Sequence, residues 1–123
     1  MITGVGVDIV KIKQFEKIAA NLGRFMLRVY TPREREYLKN RRTQSYAGLF
    51  AAKEAVAKAI GTGFSGYWPT DIEIRHEDSG KPYVVLHGKA KKLAKGRQIH
   101  ISISHTDSDA IAFAIASGGE TAE

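Results

Sequence analysis

The stretch Phe50-Ala-Ala-Lys-Glu-Ala-Val-Ala-Lys-Ala-Ile-Gly-Thr-Gly63 reads as a helix that is apolar almost all the way round, with Lys53, Glu54 and Lys58 set inside it. A helix of that kind is normally buried. Buried charges are costly unless they are paired or hold a ligand. The segment therefore predicts either an internal ion pair or an acid and two bases presented to something charged. At about 100° per residue, Leu49, Val56 and Ile60 share one face, and Glu54 and Lys58 lie nearly opposite. The plain alternative is an i,i+4 Glu–Lys pair on a solvated face. Phe50, Ala51, Ala55 and Ala57 leave little polar surface for it. The Gly61-Thr62-Gly63 exit lets a phosphate-sized group approach the backbone closely.

Upstream of this helix, Ile2 to Val10 reads as a strand of β-branched residues interleaved with glycine. Lys11 to Ala20 reads as a helix with Ile12, Phe15, Ile18 and Ala19 on one face. A break at Asn21-Leu22-Gly23 precedes a helical Arg24 to Tyr30. Thr31-Pro32-Arg33-Glu34 is a helix start, because Thr31 can cap, Pro32 suits the first helical position and Glu34 can close a capping box. That helix runs to about Lys39, and the central one from about Ser45 to Ile60. Downstream, Asp71 to His76 and Pro82 to His87 form paired strands across the Asp78-Ser79-Gly80-Lys81 turn. Lys89 to Lys95 is a short basic helix. Ile99 to Ser104 and Ala110 to Ala116 form a second hairpin. The expected architecture is α+β, a mainly antiparallel sheet with helices packed on one face. Residues 1–117 form the folded domain and 118–123 a frayed tail.

The chain has 123 residues, 43% apolar and 26% charged, which suits one globular domain with a modest core. No apolar run approaches membrane-spanning length. Met1 to Asp8 lacks a basic leader and does not read as a signal peptide. The absence of cysteine excludes disulfides and thiolate sites and fits a cytoplasmic protein. Nineteen basic residues against 13 acidic ones give a net charge of +6, which favours an anionic partner.

Two carboxylates and no cysteine suggest a hard metal. Mg²⁺ is usually held by one or two carboxylates together with substrate phosphates. Asp8, at the end of the first strand, and Glu54 can form that pair if strand end and helix meet. Lys53 and Lys58 would then neutralise phosphate charge. His105 ends a strand whose Ile99, Ile101 and Ile103 share its face, which suits a boundary residue, a proton acceptor or a phosphate ligand. His76, His87 and His100 have no metal-site spacing, and Trp68 reads as a loop anchor. There is no P-loop, dinucleotide fingerprint or serine or cysteine nucleophile motif. The Lys89-Ala-Lys-Lys-Leu-Ala-Lys95 face reads as solvated. A small basic nucleic-acid-binding module is the runner-up, weakened by the lack of aromatic and basic interleaving on a strand. A non-catalytic subunit-binding scaffold would explain the buried helix but not its acid and lysines.

Six motifs occur in order: Gly-Val-Asp8-Ile, Tyr30-Thr-Pro-Arg-Glu34-Arg-Glu-Tyr37, Phe50-Ala-Ala-Lys-Glu54-Ala, Lys58-Ala-Ile-Gly61, Gly80-Lys-Pro82 and Ser102-Ile-Ser-His105. Together they closely resemble the small bacterial phosphopantetheinyl transferases of the holo-acyl-carrier-protein synthase family, over nearly the whole chain. The resemblance implies transfer of 4′-phosphopantetheine from coenzyme A to a serine of apo acyl carrier protein, releasing adenosine 3′,5′-bisphosphate. It also implies Mg²⁺ and a homotrimer with coenzyme A between neighbouring subunits. By the same resemblance Asp8 and Glu54 are metal ligands, and Lys58 is a pyrophosphate-binding lysine. Gly61 and Thr62 lie along the cofactor, and Ser104 and His105 near the nucleotide. The general base stays open among Glu54, His105 and a metal-bound water. Lys11, Lys13, Arg24 and Arg28 are expected to steer the acidic carrier. Two positions depart from the family pattern: Leu49 stands where many members have Arg, and Gln14 where many have a basic residue. One anionic contact is therefore either missing at Leu49 or supplied elsewhere, with Arg41 and Arg42 as the candidates. Independently of the resemblance, a very apolar helix and last strand pair in so small a chain point to a partner that covers them.

Overall fold

The structure, a computed structural model, describes residues 1–19 and 22–119, with Leu22 described in its backbone only. In chain order the elements are β1 (Ile2–Lys11), α1 (Ile12–Ile18), α2 (Leu22–Val29), α3 (Pro32–Leu38), α4 (Thr43–Ile60), β2 (Ile72–His76), β3 (Pro82–Leu86), α5 (Gly88–Ala94), β4 (Gln98–His105) and β5 (Asp109–Ser117). A single 3₁₀ turn, Pro69–Asp71, leads into β2. The expected α+β class holds. Ala20, Asn21 and residues 120–123, which the sequence assigns to a helix end, a break and a tail, lie outside the described residues. Gly118, the first residue of the expected tail, donates to the Met1 carbonyl at 3.1 Å.

The expectation of one sheet needs correction. The strands form two antiparallel sheets, a three-stranded one in the order β1-β5-β4 and the β2-β3 hairpin. Among the described residues no backbone hydrogen bond joins β3 to β4. Strand periodicity identifies both hairpins but says nothing about pairing across the α5 connection between them.

Helix α4 lies against one face of the three-stranded sheet, and small side chains let it sit close. Ala110, Ala112, Ala114 and Ala116 of β5 all point inward and are buried. In β1 the matching inward positions are Gly4, beside Ala116, and Gly6, beside Ala114. A Cβ on either glycine would lie 1.9 Å from a carbonyl oxygen of α4, that of Ala59 for Gly4 and that of Ala55 for Gly6. No side chain fits there. The next inward position of β1 is Asp8, paired across the ladder with Ala112.

The other helices follow their local signals. Thr31 Oγ1 accepts from the Glu34 amide at 3.1 Å, and Glu34 Oε1 accepts from the Thr31 amide at 2.8 Å, completing the predicted capping box on α3. Helix α4 starts two residues earlier than its pattern suggests and ends at Gly61, whose φ of 103° needs glycine. The Gly61 and Gly63 amides both donate to the Ala57 carbonyl at 3.2 Å. Among the described residues no helix covers the opposite face of the sheet. That face exposes Val5, Val7 and Ile9 of β1 beside Ile111 and Phe113 of β5, each between 41% and 65% accessible.

Replacing Gly6 with Ala should force β1 off α4. The expected cost is about 3 kcal/mol, at the upper end for overpacking because the obstacle is backbone. Urea unfolding of the G6A protein measures it directly.

Candidate active site

The glycines that bring β1 against α4 also deliver Asp8 to the helix. Lys58, on the last turn of α4, donates to the Val7 carbonyl at 2.9 Å and reaches Asp8 Oδ1 at 3.5 Å. Glu54 lies one turn earlier on the same side, half-buried. Asp8 and Glu54 line one cleft of about 380 Å³ between β1, α1 and α4, together with Lys11, Gln14, Phe50 and Asp109. The strand end and the helix therefore meet, as the pairing of the two acids requires.

The electrostatics of this pair are unfavourable in the protein alone. Burial raises the Asp8 carboxyl above its usual range, and Lys58 offsets this only in part. Burial also raises Glu54, the negative charge of Asp8 raises it further, and Lys58 again opposes. Two oxygen-donor carboxylates facing one cleft, each destabilised as an anion, suit a hard divalent cation. Among the described residues no third His, Asp or Glu completes a closed protein cage.

Lys53 does not belong to this surface, and its expected cofactor contact is corrected. Its side chain is 1% exposed and pairs with Glu34 Oε1 at 2.7 Å, beneath α3 and β2. Burial lowers its proton affinity, while the Glu34 carboxylate holds the charged form. Helical periodicity separates Lys53 from Lys58 by five residues, and the fold turns one inward and the other out.

Gly61 and Thr62 are exposed just beyond the Lys58 turn, where the helix ends. Ser104 and His105 are exposed at the end of β4, but they do not line the Asp8–Glu54 cleft. His105 registers with Ala110 of β5, which registers with Val10 of β1. Two strand spacings, about 10 Å, separate the two edges. One chain thus brings Asp8, Glu54 and Lys58 together and leaves Ser104 and His105 apart from them. Lys11 and Lys13 at the start of α1, and Arg24 and Arg28 on α2, are all exposed. So are the apolar Ile18 and Leu27 on those helices, which the charge pattern did not single out. Leu49 is a core residue, and Arg41 is occupied by Tyr37, donating to its carbonyl at 2.9 Å and lying 4.0 Å over its ring. Arg42 is exposed at the start of α4. Asp109 and Gln14 also escaped the sequence reading as cleft residues; only the register of Lys11 with Asp109 places the latter there.

Comparison with known proteins converges on the same class. The family model of the 4′-phosphopantetheinyl transferase superfamily matches residues 4–116. A holo-[acyl-carrier-protein] synthase of Clostridium kluyveri is 50% identical over 120 residues, covering 94% of this chain and 90% of that one. The crystal structure of the Neisseria meningitidis holo-[acyl-carrier-protein] synthase superposes with a TM-score of 0.87 at 32% identity, covering 96% of this chain and all of that one. A Bacillus anthracis holo-(acyl-carrier-protein) synthase, solved in complex with CoA (3′,5′-ADP), gives a TM-score of 0.80 at 37% identity over 94% and 96% of the two chains. This chain belongs to the 4′-phosphopantetheinyl transferase superfamily, and within it to the holo-acyl-carrier-protein synthase family. The nucleic-acid-binding alternative has no support in these findings.

Because Glu54 takes up a proton more readily in the fold than in the unfolded chain, its ionised form costs stability at neutral pH. Glu54→Gln should therefore raise the melting temperature of the metal-free protein by a few degrees near pH 7. The gain should shrink as pH falls and the wild-type carboxylate protonates. Calorimetry of both proteins across pH in chelator checks the sign.

Proposed function

We propose that this chain is a Mg²⁺-dependent transferase whose site is completed across a subunit boundary. The reaction moves 4′-phosphopantetheine from coenzyme A to a serine hydroxyl of apo acyl carrier protein, giving the holo carrier and adenosine 3′,5′-bisphosphate. The observation that carries the reading is that Asp8 and Glu54 face one cleft, with Lys58 against Asp8, in a chain of this family.

Asp8 and Glu54 would hold the cation. Bound there, it would neutralise pyrophosphate charge and fix its geometry for attack by the serine. Lys58 now contacts Asp8 and the Val7 carbonyl through an ammonium that is half-exposed. It would turn to the phosphate and stabilise charge on the leaving group. Gly61 and Thr62 would follow the donor along the helix end. Proton removal from the carrier serine falls to Glu54, His105 or a metal-bound water.

Ser104 and His105 would contact the nucleotide of a site whose acids belong to a neighbouring copy. Their separation from Asp8 within one chain supports this, as does the exposed apolar sheet face of Val5, Val7, Ile9, Ile111 and Phe113. A second and third copy on that face would give the homotrimer. The acidic carrier would approach Lys11, Lys13, Arg24 and Arg28, with Ile18 and Leu27 as apolar contacts between them. Such steering should weaken with salt. A cytoplasmic setting, and a folded domain of residues 1–117, are part of the same proposal. Among the described residues no helix is long and apolar enough to cross a membrane.

Intact mass spectrometry of an apo acyl carrier protein tests the reaction. With the protein, coenzyme A and Mg²⁺, the carrier should gain one phosphopantetheine, and chelator should abolish the gain. Glu54→Ala should lose transfer at least a thousandfold while remaining folded, as expected for removal of a ligand from a charge-stabilising site. Full activity in E54A would contradict the metal assignment. Val7→Glu should give dissociated chains on sedimentation; a trimer retained in that variant would contradict the sheet-face interface.

A further inference from the structure

Lys53 stands next to Glu54 in sequence yet makes no contact with the cleft. Its ammonium meets three oxygens instead. It pairs with Glu34 Oε1 at 2.7 Å, donates to the Pro69 carbonyl at 3.0 Å and donates to the Ile72 carbonyl. Glu34 is equally committed, accepting from the Thr31 amide at 2.8 Å and the Ile74 amide at 2.7 Å. Every buried side-chain nitrogen and oxygen among the described residues has a partner.

A buried ion pair is a weak device for stability, because apolar residues of similar volume often do as well. What an ammonium provides, and a methylene chain does not, is three directed donors. Two of them fix backbone. Pro69 and Ile72 bound the 3₁₀ turn on which the Gly61–Trp68 loop ends. The same loop begins at the end of α4, where Gly61 and Gly63 donate to Ala57. Both ends of the loop are therefore referenced to the helix that carries Glu54 and Lys58. One end is held by the helix terminus and the other by a side chain from the helix interior, 16 residues away. Between them, Tyr67 is buried, packs edge-on against Phe64 with ring centres 5.6 Å apart, and turns its hydroxyl toward Thr62.

We propose that Lys53 is a positioning residue for the donor: by tying Pro69 and Ile72 to α4, it holds the Gly61–Trp68 loop in the shape that receives coenzyme A. This rests on the reading of coenzyme A as donor. It assigns Lys53 an effect on donor affinity without any contact to the donor.

The test compares Lys53→Met with Leu38→Ala, a core truncation in α3 that removes packing without removing a partner of Lys53. Titration calorimetry with coenzyme A and Mg²⁺, and steady-state transfer, are run well below each melting temperature. K53M should weaken coenzyme A binding and raise its KM about tenfold, with kcat at saturating donor within about twofold of wild type. L38A should lower the melting temperature and leave both constants unchanged. If K53M does not fold, Lys53→Arg keeps the charge beside Glu34 but replaces three convergent donors with a planar fork. It should raise the KM about threefold. Wild-type affinity in the folded Lys53 variant, or an equal loss in L38A, would overturn the proposal. A wild-type protein that binds no coenzyme A would instead overturn the functional reading beneath it.

Discussion

The contact on which this structure depends is that of a strand backbone with a helix backbone. Gly4 and Gly6 leave no side chain between β1 and the carbonyls of Ala59 and Ala55. The alanines of β5 extend the same shallow floor beneath α4. Packing this close fixes both the height of the helix above the sheet and its rotation. Asp8, the next inward residue of β1, then falls beside the one helical edge that carries Glu54 and Lys58. A larger side chain at either glycine would lift the helix and open the distance between the two acids, so fold and site share one steric condition.

The same closeness makes the site electrostatically costly. Two carboxylates are drawn out of water near each other, and both are raised above their usual range mainly by that burial. Lys58 offsets part of the cost by leaning on Asp8 and the Val7 carbonyl. A divalent cation would offset more, and would release Lys58 toward a phosphate. On the proposed reading, stability given up at Glu54 in the metal-free protein would become affinity for a cation and its polyphosphate. The other buried charge, Lys53 with Glu34, is handled differently: every donor and acceptor is matched inside the protein, and nothing is left over for a ligand.

What was legible in the sequence follows from the range of each signal. Thr31-Pro32-Arg33-Glu34 announced a helix start because a capping box is complete within four residues. Both hairpins, and the alternation of Ile99, Ile101 and Ile103, were legible for the same reason. The acids at Asp8 and Glu54 were found by pattern, and resemblance gave them roles. The pattern failed where a decision depended on distant chain. Nothing near Lys53 shows that its partner is Glu34, so it looked like a phosphate ligand. The split into two sheets depends on how β3 and β4 approach after α5. Asp109 reaches the cleft only through its register with Lys11.

The proposed division of the site between chains would be the least local feature of all. Asp8, Glu54 and Lys58 converge within one chain, while Ser104 and His105 lie two strands away on the far edge of a sheet with an uncovered apolar face. If neighbouring copies close on that face, one supplies the acids and the other the nucleotide contacts. The most direct measurement is subunit complementation. Glu54→Ala and His105→Glu proteins, each expected to be inactive alone, are co-refolded in equal amounts and assayed for phosphopantetheine transfer. An interface is intact when Glu54 of one variant meets His105 of the other, which random mixing gives in about one interface of four. Recovery of about a quarter of wild-type activity is the predicted result. A mixture as inactive as its components would place the whole site within a single chain and contradict the account.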